Sequence, residues 1–147
     1  MKICLLDINL LIALAWPSHI HHEQSHVWFG ANSASGWATC PVTQCGFVRV
    51  SSNPKIIADA VSPKAALSVL HDIISIDRHV FWPDSISLTE SSYIPTSLLI
   101  GHRQVTDTYL LGLAVSNNGR LATLDKRIPA LLPADSPWRD AVVVVPV

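Results

Sequence analysis

The sequence predicts an α/β fold in which helices cover both faces of a parallel sheet. Short apolar runs, each too short for a helix, alternate along the chain with segments whose apolar residues recur at helical spacing. Ten prolines separate these segments, and the links between them are short. Strands that alternate with helices in this way are typical of parallel sheets, because each crossover helix packs on a face of the sheet.

The first half of the chain contains two predicted strands and three predicted helices. Residues 3–6 form a brief apolar run, which indicates a buried strand, and 37–39 indicates a second short strand. Asn9 is expected to cap a helix whose leucines share one face, because its side-chain oxygen can accept from free backbone N–H groups. Helical patterns predict two further helices over 22–31 and 43–50.

The second half is dominated by two helices. Apolar residues of the predicted helix 63–74 form one stripe. Its members are Ala66, Leu67, Leu70, Ile73 and Ile74. The helix 106–117 has the most regular spacing, and Asn118 and Gly119 tolerate the left-handed backbone that ends a helix. Segment 84–101 shows no clear pattern. The remaining predicted elements are strands over 79–82, 120–124 and 141–145 and a short helix near 126–131.

Length and composition restrict the class of protein. The 147 residues are expected to form one domain, 1–147. Hydrophobic residues make up 49% and charged residues 14%, which excludes an intrinsically disordered chain. The formal net charge of −1 provides no overall positive field for nucleic acid or anionic lipid. Contact with nucleic acid therefore requires local basic groups or a bound cation.

The sequence predicts a cytoplasmic protein with no membrane segment. No apolar run reaches the roughly 18 residues that a membrane span needs. Asp7 and Asn9 interrupt the apolar N-terminal stretch, which argues against a secretory leader. Cysteine usage agrees, because Cys4, Cys40 and Cys45 form no C-x-x-C pair and suit reduced, mostly buried thiols.

Three aspartates stand directly beside apolar sequence, whereas the other acidic residues lie mainly in polar surroundings. Asp7 and Asp125 each follow a predicted strand, and Asp107 lies on the apolar face of its helix in the first turn. The carboxyl ends of parallel strands form the edge at which α/β sheets bind ligands, so these side chains can converge. Neighbouring carboxylates repel one another, a divalent cation relieves the repulsion, and oxygen ligands favour Mg²⁺ or Mn²⁺. The alternative is structural: Asp107 can stabilise a helix N-terminus, and Asp125 can cap the next helix.

Taken together, the acidic blocks resemble those of PIN-domain nucleases. The blocks are LLDINLLIAL at 5–14, VTDTYLLGLAV at 105–115 and GRLATLD at 119–125. Three intervening segments resemble one bacterial branch, the VapC-type toxins of toxin–antitoxin pairs. They are HIHHEQSHVWF at 19–29, GWATCPVTQCGFVRV at 36–50 and FWPDSISL at 81–88. The resemblance covers most of the chain and is least diagnostic over 55–80 and 126–147.

The resemblance implies a three-layer α/β/α sandwich and a Mg²⁺- or Mn²⁺-dependent endoribonuclease. It also implies a cognate VapB-type antitoxin that inserts a peptide into the active-site groove, an RNA substrate and a homodimer. Asp7, Asp107 and Asp125 match the family's catalytic and metal-binding aspartates. Asn9 and Thr106 match neighbouring polar positions that support the metal site.

One residue departs from the family pattern. The block after the second strand usually reads T-E-x-G-F, but here it reads TQCGF, with Gln44 in place of the catalytic carboxylate. Gln retains an oxygen acceptor and lacks the charge, so it can position a water and cannot act as a base. Metal affinity is expected to fall by about 10- to 100-fold if the group is an outer partner of the metal. Natural tolerance of Gln, a mutation that removes toxicity and a natural loss of catalysis are all consistent with it.

Basic residues near these blocks are candidates for contacts with the RNA backbone. They are Arg49, Arg103 and Arg120, with Lys126 and Arg127 as further candidates. Four histidines, His19, His21, His22 and His26, also cluster between the first two helices. His22 and His26 have the spacing of a chelating pair, but nothing nearby completes a site, so we interpret them as part of a packed helix.

Two other functions remain open at this point. A PIN-fold protein silenced by Gln44 would only bind RNA or an antitoxin. An aspartate-nucleophile phosphatase is suggested by an aspartate at the end of the first strand. That class requires D-x-D, however, and Asp7-Ile8-Asn9 lacks the second aspartate.

Overall fold

Five short strands form one parallel sheet in the computed structural model, which describes residues 2–147. The strands are β1 (Cys4–Leu6), β2 (Trp37–Thr39), β3 (His79–Phe81), β4 (Arg120–Thr123) and β5 (Val142–Val144). Their order across the sheet is β3-β2-β1-β4-β5, and every neighbouring pair is parallel. β1 is therefore the central strand, with β2 and β4 on either side.

Helices cover both faces of this sheet. They are α1 (Ile8–Ala15), α2 (His22–Asn32), α3 (Pro41–Ser51), α4 (Pro63–Ile74), α5 (Val105–Ser116) and α6 (Arg127–Leu131). Leu5 and Leu121 pack with leucines of α5 in one core, whereas Leu6 and Ala122 pack with side chains of α1 to α4 in the other. Successive residues of a strand point to opposite faces, so β1 and β4 contribute to both cores. The three-layer α/β/α sandwich is confirmed.

The predicted elements are present with bounds close to those expected. At the end of α5, Asn118 adopts the left-handed conformation with φ of 57°, and the Gly119 N–H donates to Ala114 O. The segment 84–101 contains one 3-10 turn, Thr96–Leu98, which buries Leu98 in the core of α5. None of the helices between residues 2 and 147 has the length and apolar character that crossing a bilayer requires.

The structure adds to or corrects three details of the sequence interpretation. Asp7, not Asn9, caps α1: its Oδ1 accepts from the N–H of Ile8 at 2.7 Å, because the helix begins directly after β1. Leu67 of the α4 stripe is 57% exposed, whereas Ala66 and Leu70 of that helix are buried. Cys45 is exposed, whereas Cys4 is partly buried and Cys40 is buried, and all three are free thiols.

Candidate active site

The carboxyl edge of the sheet brings two of the three aspartates next to each other. β1 and β4 are paired in register, so Asp7 and Asp125 follow adjacent strand ends. The N–H of Asp7 donates to Ala122 O at 2.9 Å, which extends the ladder of hydrogen bonds by one residue and fixes the Asp7 backbone against β4. Asp107 approaches from the first turn of α5, the helix that packs on the same two strands.

Thr123 links the groups at this edge. Its buried hydroxyl donates to Asp7 Oδ2 at 2.7 Å and accepts from Asn9 Nδ2 at 3.2 Å and from the Asp125 N–H at 3.0 Å. Asn9 Oδ1 accepts from the Leu124 N–H at 3.1 Å, so the Asn9 side chain ties α1 to the end of β4. Asn9 thus contacts Thr123 and the backbone of Leu124, and its predicted support of a metal site stays a prediction.

Asp7 is almost inaccessible to solvent, with 4% of its surface exposed. Burial raises the pKa of Asp7, because removal from water disfavours the charged form. Hydrogen bonds from Thr123 and from the Ile8 N–H oppose this rise, and the nearby charge of Asp125 adds to it. Both carboxylate oxygens of Asp7 therefore have fixed donors in a setting that favours a compensating positive charge.

Asp107 experiences the charges of both other aspartates. Its pKa is raised to about 7, first by burial and then by repulsion from Asp7 and Asp125, while Arg127 opposes the shift. Repulsion of this kind requires the carboxylates to lie within electrostatic reach of one another. Asp7 and Asp125 follow adjacent strand ends, and Asp107 lies in the first turn of the helix packed on those strands, so all three stand at the same edge of the sheet.

Asp125 is oriented differently, because it forms a two-point ion pair with Arg127. Oδ1 accepts from the backbone N–H and Nε of Arg127, and Oδ2 accepts from Nη2 at 3.0 Å. These contacts lower the pKa of Asp125 despite its partial burial. Within residues 2–147 no three His, Cys, Asp or Glu side chains already stand at the spacing of a metal-binding group. The donor chemistry of the three carboxylates fits Mg²⁺ or Mn²⁺, but Asp125 would have to exchange its Arg127 contact to join Asp7 and Asp107.

A cavity of about 440 Å³ opens beside these acids, and we call it the acid cavity. Its polar lining consists of Asp7, Asn9, Thr106, Asp107, Arg49 and His19. The remaining lining is aliphatic and comes from Ile8, Ile12, Val50, Ile56 and Ile57. Two carboxylates, one guanidinium and one imidazole therefore face a common space that is large enough for a nucleotide-sized group.

Gln44 faces a different set of neighbours. Its Nε2 donates to Thr39 Oγ1 at 3.0 Å, and the same hydroxyl lies 2.7 Å from His79 Nε2. Gln44 is absent from the lining of the acid cavity. Two residues further along α3, Gly46 lies so close to the Ile8 side chain that a Cβ there would collide with it. The absence of a side chain at Gly46 therefore allows α3 to pack closely against the start of α1. Gln44 is therefore held at the end of β2, outside the lining of the acid cavity.

The predicted basic residues are not all brought to this site. Arg49 lines the acid cavity. Arg103 is exposed in the turn before α5, outside the lining. Arg120 begins β4 and lies at the amino edge of the sheet, beside Lys2 and Cys4, so it is not brought to the acid cavity, and its contact with the RNA backbone stays a prediction. Of the two further candidates, Lys126 is exposed and Arg127 is paired with Asp125.

Two of the histidines stabilise the end of α1. A ring nitrogen of His22 lies 2.8 Å from Ala13 O, and one of His26 lies 2.8 Å from Leu14 O, so both rings can donate to carbonyls that the helix leaves free. The interpretation as part of a packed helix agrees with these contacts. Sequence reasoning missed Thr123 and His19. For Thr123 a pattern was available, since a side chain two residues before Asp125 on a strand points toward the same face.

Comparison with known proteins gives close relatives. No protein-family model matches the chain. Ribonuclease VapC38 of Mycobacterium tuberculosis is 49% identical over 121 residues, which cover 82% of this chain and 84% of that protein. Ribonuclease VapC39 of the same species is 43% identical over 121 residues, with 82% and 87% covered. Ribonuclease VapC29, also from that species, is 42% identical over 127 residues, with 86% and 89% covered.

Proposed function

This chain belongs to the VapC family, and from that membership we propose that it is an endoribonuclease acting as the toxin of a type II toxin–antitoxin pair. The observation that carries the proposal is the position of the three aspartates: Asp7 and Asp107 line one cavity, and Asp125 follows the strand end beside Asp7. Burial, and then repulsion from Asp7 and Asp125, raises the pKa of Asp107 to about 7.

The proposed reaction uses Mg²⁺ or Mn²⁺. Asp7 and Asp107 would hold the ion, with Asp125 as the third ligand once its carboxylate leaves Arg127. When bound, such an ion lowers the pKa of water and neutralises charge on phosphate oxygens. Asn9 and Thr123 keep the Asp7 carboxylate oriented through the hydrogen bonds described above. Arg49 offers a positive charge to the RNA backbone at the cavity wall.

A second candidate function is supported by Gln44. Its amide donates to Thr39 and provides no carboxylate, so the chain would bind RNA or its antitoxin and leave RNA uncut. In that case a Gln44→Glu variant would cleave RNA with Mn²⁺, whereas the wild-type chain would not.

The decisive experiment measures RNA cleavage with Mn²⁺ by the wild-type chain and by Gln44→Glu. Asp7→Asn is expected to abolish cleavage, whereas Asp59→Asn, at an exposed acid outside the cavity, is expected to retain it. EDTA is expected to stop the reaction. Absence of cleavage in both the wild-type chain and Gln44→Glu, or full activity of Asp7→Asn, would overturn the ribonuclease proposal.

The proposed partners are a VapB-type antitoxin and a second copy of the chain, in the cytoplasm. Family membership supports both, and several large apolar side chains are exposed. Examples are Ile20, Val27, Ile56 and Ile100. Sedimentation is expected to show a dimer, and a monomer at micromolar concentration would contradict this part of the proposal.

A further inference from the structure

His19 lines the acid cavity together with Asp7, Asp107 and Arg49, although it belongs to the turn between α1 and α2. Two backbone hydrogen bonds of 3.0 Å fix this turn. The His19 N–H donates to Trp16 O, and the His22 N–H donates to His19 O. Hydrogen bonds therefore fix the backbone that carries the His19 imidazole at the wall of the cavity.

The two ring nitrogens of His19 have different roles. Nδ1 lies 3.0 Å from the N–H of His21 and accepts from it, which requires a lone pair on Nδ1. The hydrogen of the neutral ring is then on Nε2. Among residues 2–147 no group forms a hydrogen bond with that nitrogen. Nε2–H is the donor that His19 can offer to a molecule in the cavity.

The environment also favours the neutral ring. The pKa of His19 is lowered, mainly by partial burial and further by the neighbouring rings of His21 and His22. A neutral imidazole does not form a permanent ion pair with Asp7 or Asp107. It keeps its Nε2–H free in the cavity until an acceptor arrives.

An RNA phosphate that enters this space meets two carboxylates, so its oxygens need donors from other residues of the lining. Arg49 is the positive group of the lining, and His19 adds a ring N–H that no other residue in the described part of the chain uses. We propose that His19 is an RNA-binding residue that donates its Nε2–H to a non-bridging phosphate oxygen, while Arg49 supplies the positive charge. This assignment rests on the proposed ribonuclease function and adds a substrate contact to it.

A purely structural role for His19 makes a different prediction, and two substitutions separate the roles. In His19→Asn the side-chain oxygen of the new residue can still accept from the His21 N–H, as in an Asx-turn. The shorter side chain has no donor at the position of Nε2. His19→Gln places an amide N–H near the position of Nε2 but loses the short acceptor of the turn. His71→Asn, on the exposed face of α4, controls for removal of a histidine elsewhere.

The test measures binding of a short, labelled, single-stranded oligoribonucleotide of mixed sequence by fluorescence anisotropy, with Ca²⁺ in place of Mn²⁺ to keep the RNA intact. His19→Asn is expected to weaken binding by about tenfold or more while leaving the melting temperature unchanged, since a hydrogen bond to a charged oxygen is lost. His19→Gln is expected to melt at a lower temperature and to bind like the wild-type chain.

Wild-type affinity in His19→Asn, or equal weakening in both variants, would overturn the assignment of His19 and leave the ribonuclease proposal intact. Weaker binding by His71→Asn to the same degree would also overturn it. If the wild-type chain neither binds nor cleaves RNA, the ribonuclease proposal fails and the role of His19 fails with it.

Discussion

The hydroxyl of Thr123 donates a hydrogen bond of 2.7 Å to Oδ2 of Asp7, across 116 positions of sequence. The last residue of β4 thus orients the residue that follows β1. Because the N–H of Ile8 holds the other oxygen at 2.7 Å, the carboxylate cannot rotate without losing a donor. The most buried acid of the site is therefore held in place by the end of β4 and the start of α1.

Thr123→Val is expected to destabilise the protein by about 1–3 kcal/mol, because a buried carboxylate loses a hydrogen-bond donor. Urea unfolding at neutral pH measures the change. Thr96→Val, at an exposed threonine of the 3-10 turn, is the control and is expected to have a small effect. Equal losses in the two variants would show that the hydroxyl of Thr123 has no special role.

The stability of the metal-free protein is expected to decrease as pH rises toward neutrality. The pKa of Asp107 is 3.8 in an ordinary setting and about 7 in the folded protein, so the folded state binds the proton more tightly. Its favourable contribution is complete below 3.8 and is lost as pH rises through about 7. Thermal unfolding in EDTA across this range measures the slope. Asp107→Asn should flatten the curve, and an unchanged slope in that variant would contradict the assignment.

Mn²⁺ is expected to raise the melting temperature of the wild-type protein, because an ion that binds only the folded state stabilises it. The increase should disappear in Asp7→Asn and persist in Asp135→Asn, whose exposed side chain lies outside the acid cavity. The measurement is thermal unfolding over a Mn²⁺ titration. A melting temperature that responds to Mn²⁺ equally in all three proteins would place the ion elsewhere.

Gln44→Glu is expected to reverse the hydrogen bonds of Thr39. In the present structure Gln44 Nε2 donates to Thr39 Oγ1, which leaves the hydroxyl hydrogen for His79 Nε2. A glutamate can only accept, so Thr39 would donate to it and His79 would have to donate from Nε2. The tautomer of His79 therefore changes, which ring ¹⁵N chemical shifts report. Thr39→Val should remove the effect of Gln44→Glu on His79. Identical His79 spectra in the wild-type and Gln44→Glu proteins would contradict the predicted change of tautomer.

Much of the fold could be predicted from local patterns. Short apolar runs and helical spacing located the strands and helices, because burial imposes a period on each kind of element. Side-chain positions that depend on contacts between elements were harder to predict from the sequence. Asn9 has the chemistry of a helix cap, yet its side chain bonds Thr123 and Leu124, more than a hundred residues away in sequence. Arg120 belongs to the same block as Asp125, but the length of β4 separates the two residues, so they lie at opposite edges of the sheet.

The sequence by itself indicated the α/β class, the family and the three aspartates as candidate site residues. All three can be recognised from the order of apolar and acidic residues along the chain. Only the tertiary structure decided how those acids are held. It pairs Asp125 with Arg127, binds Gln44 to Thr39 and brings His19 to the cavity wall. Each of these outcomes depends on the distances and directions between side chains that folding brings together, and local patterns in the sequence do not reveal them.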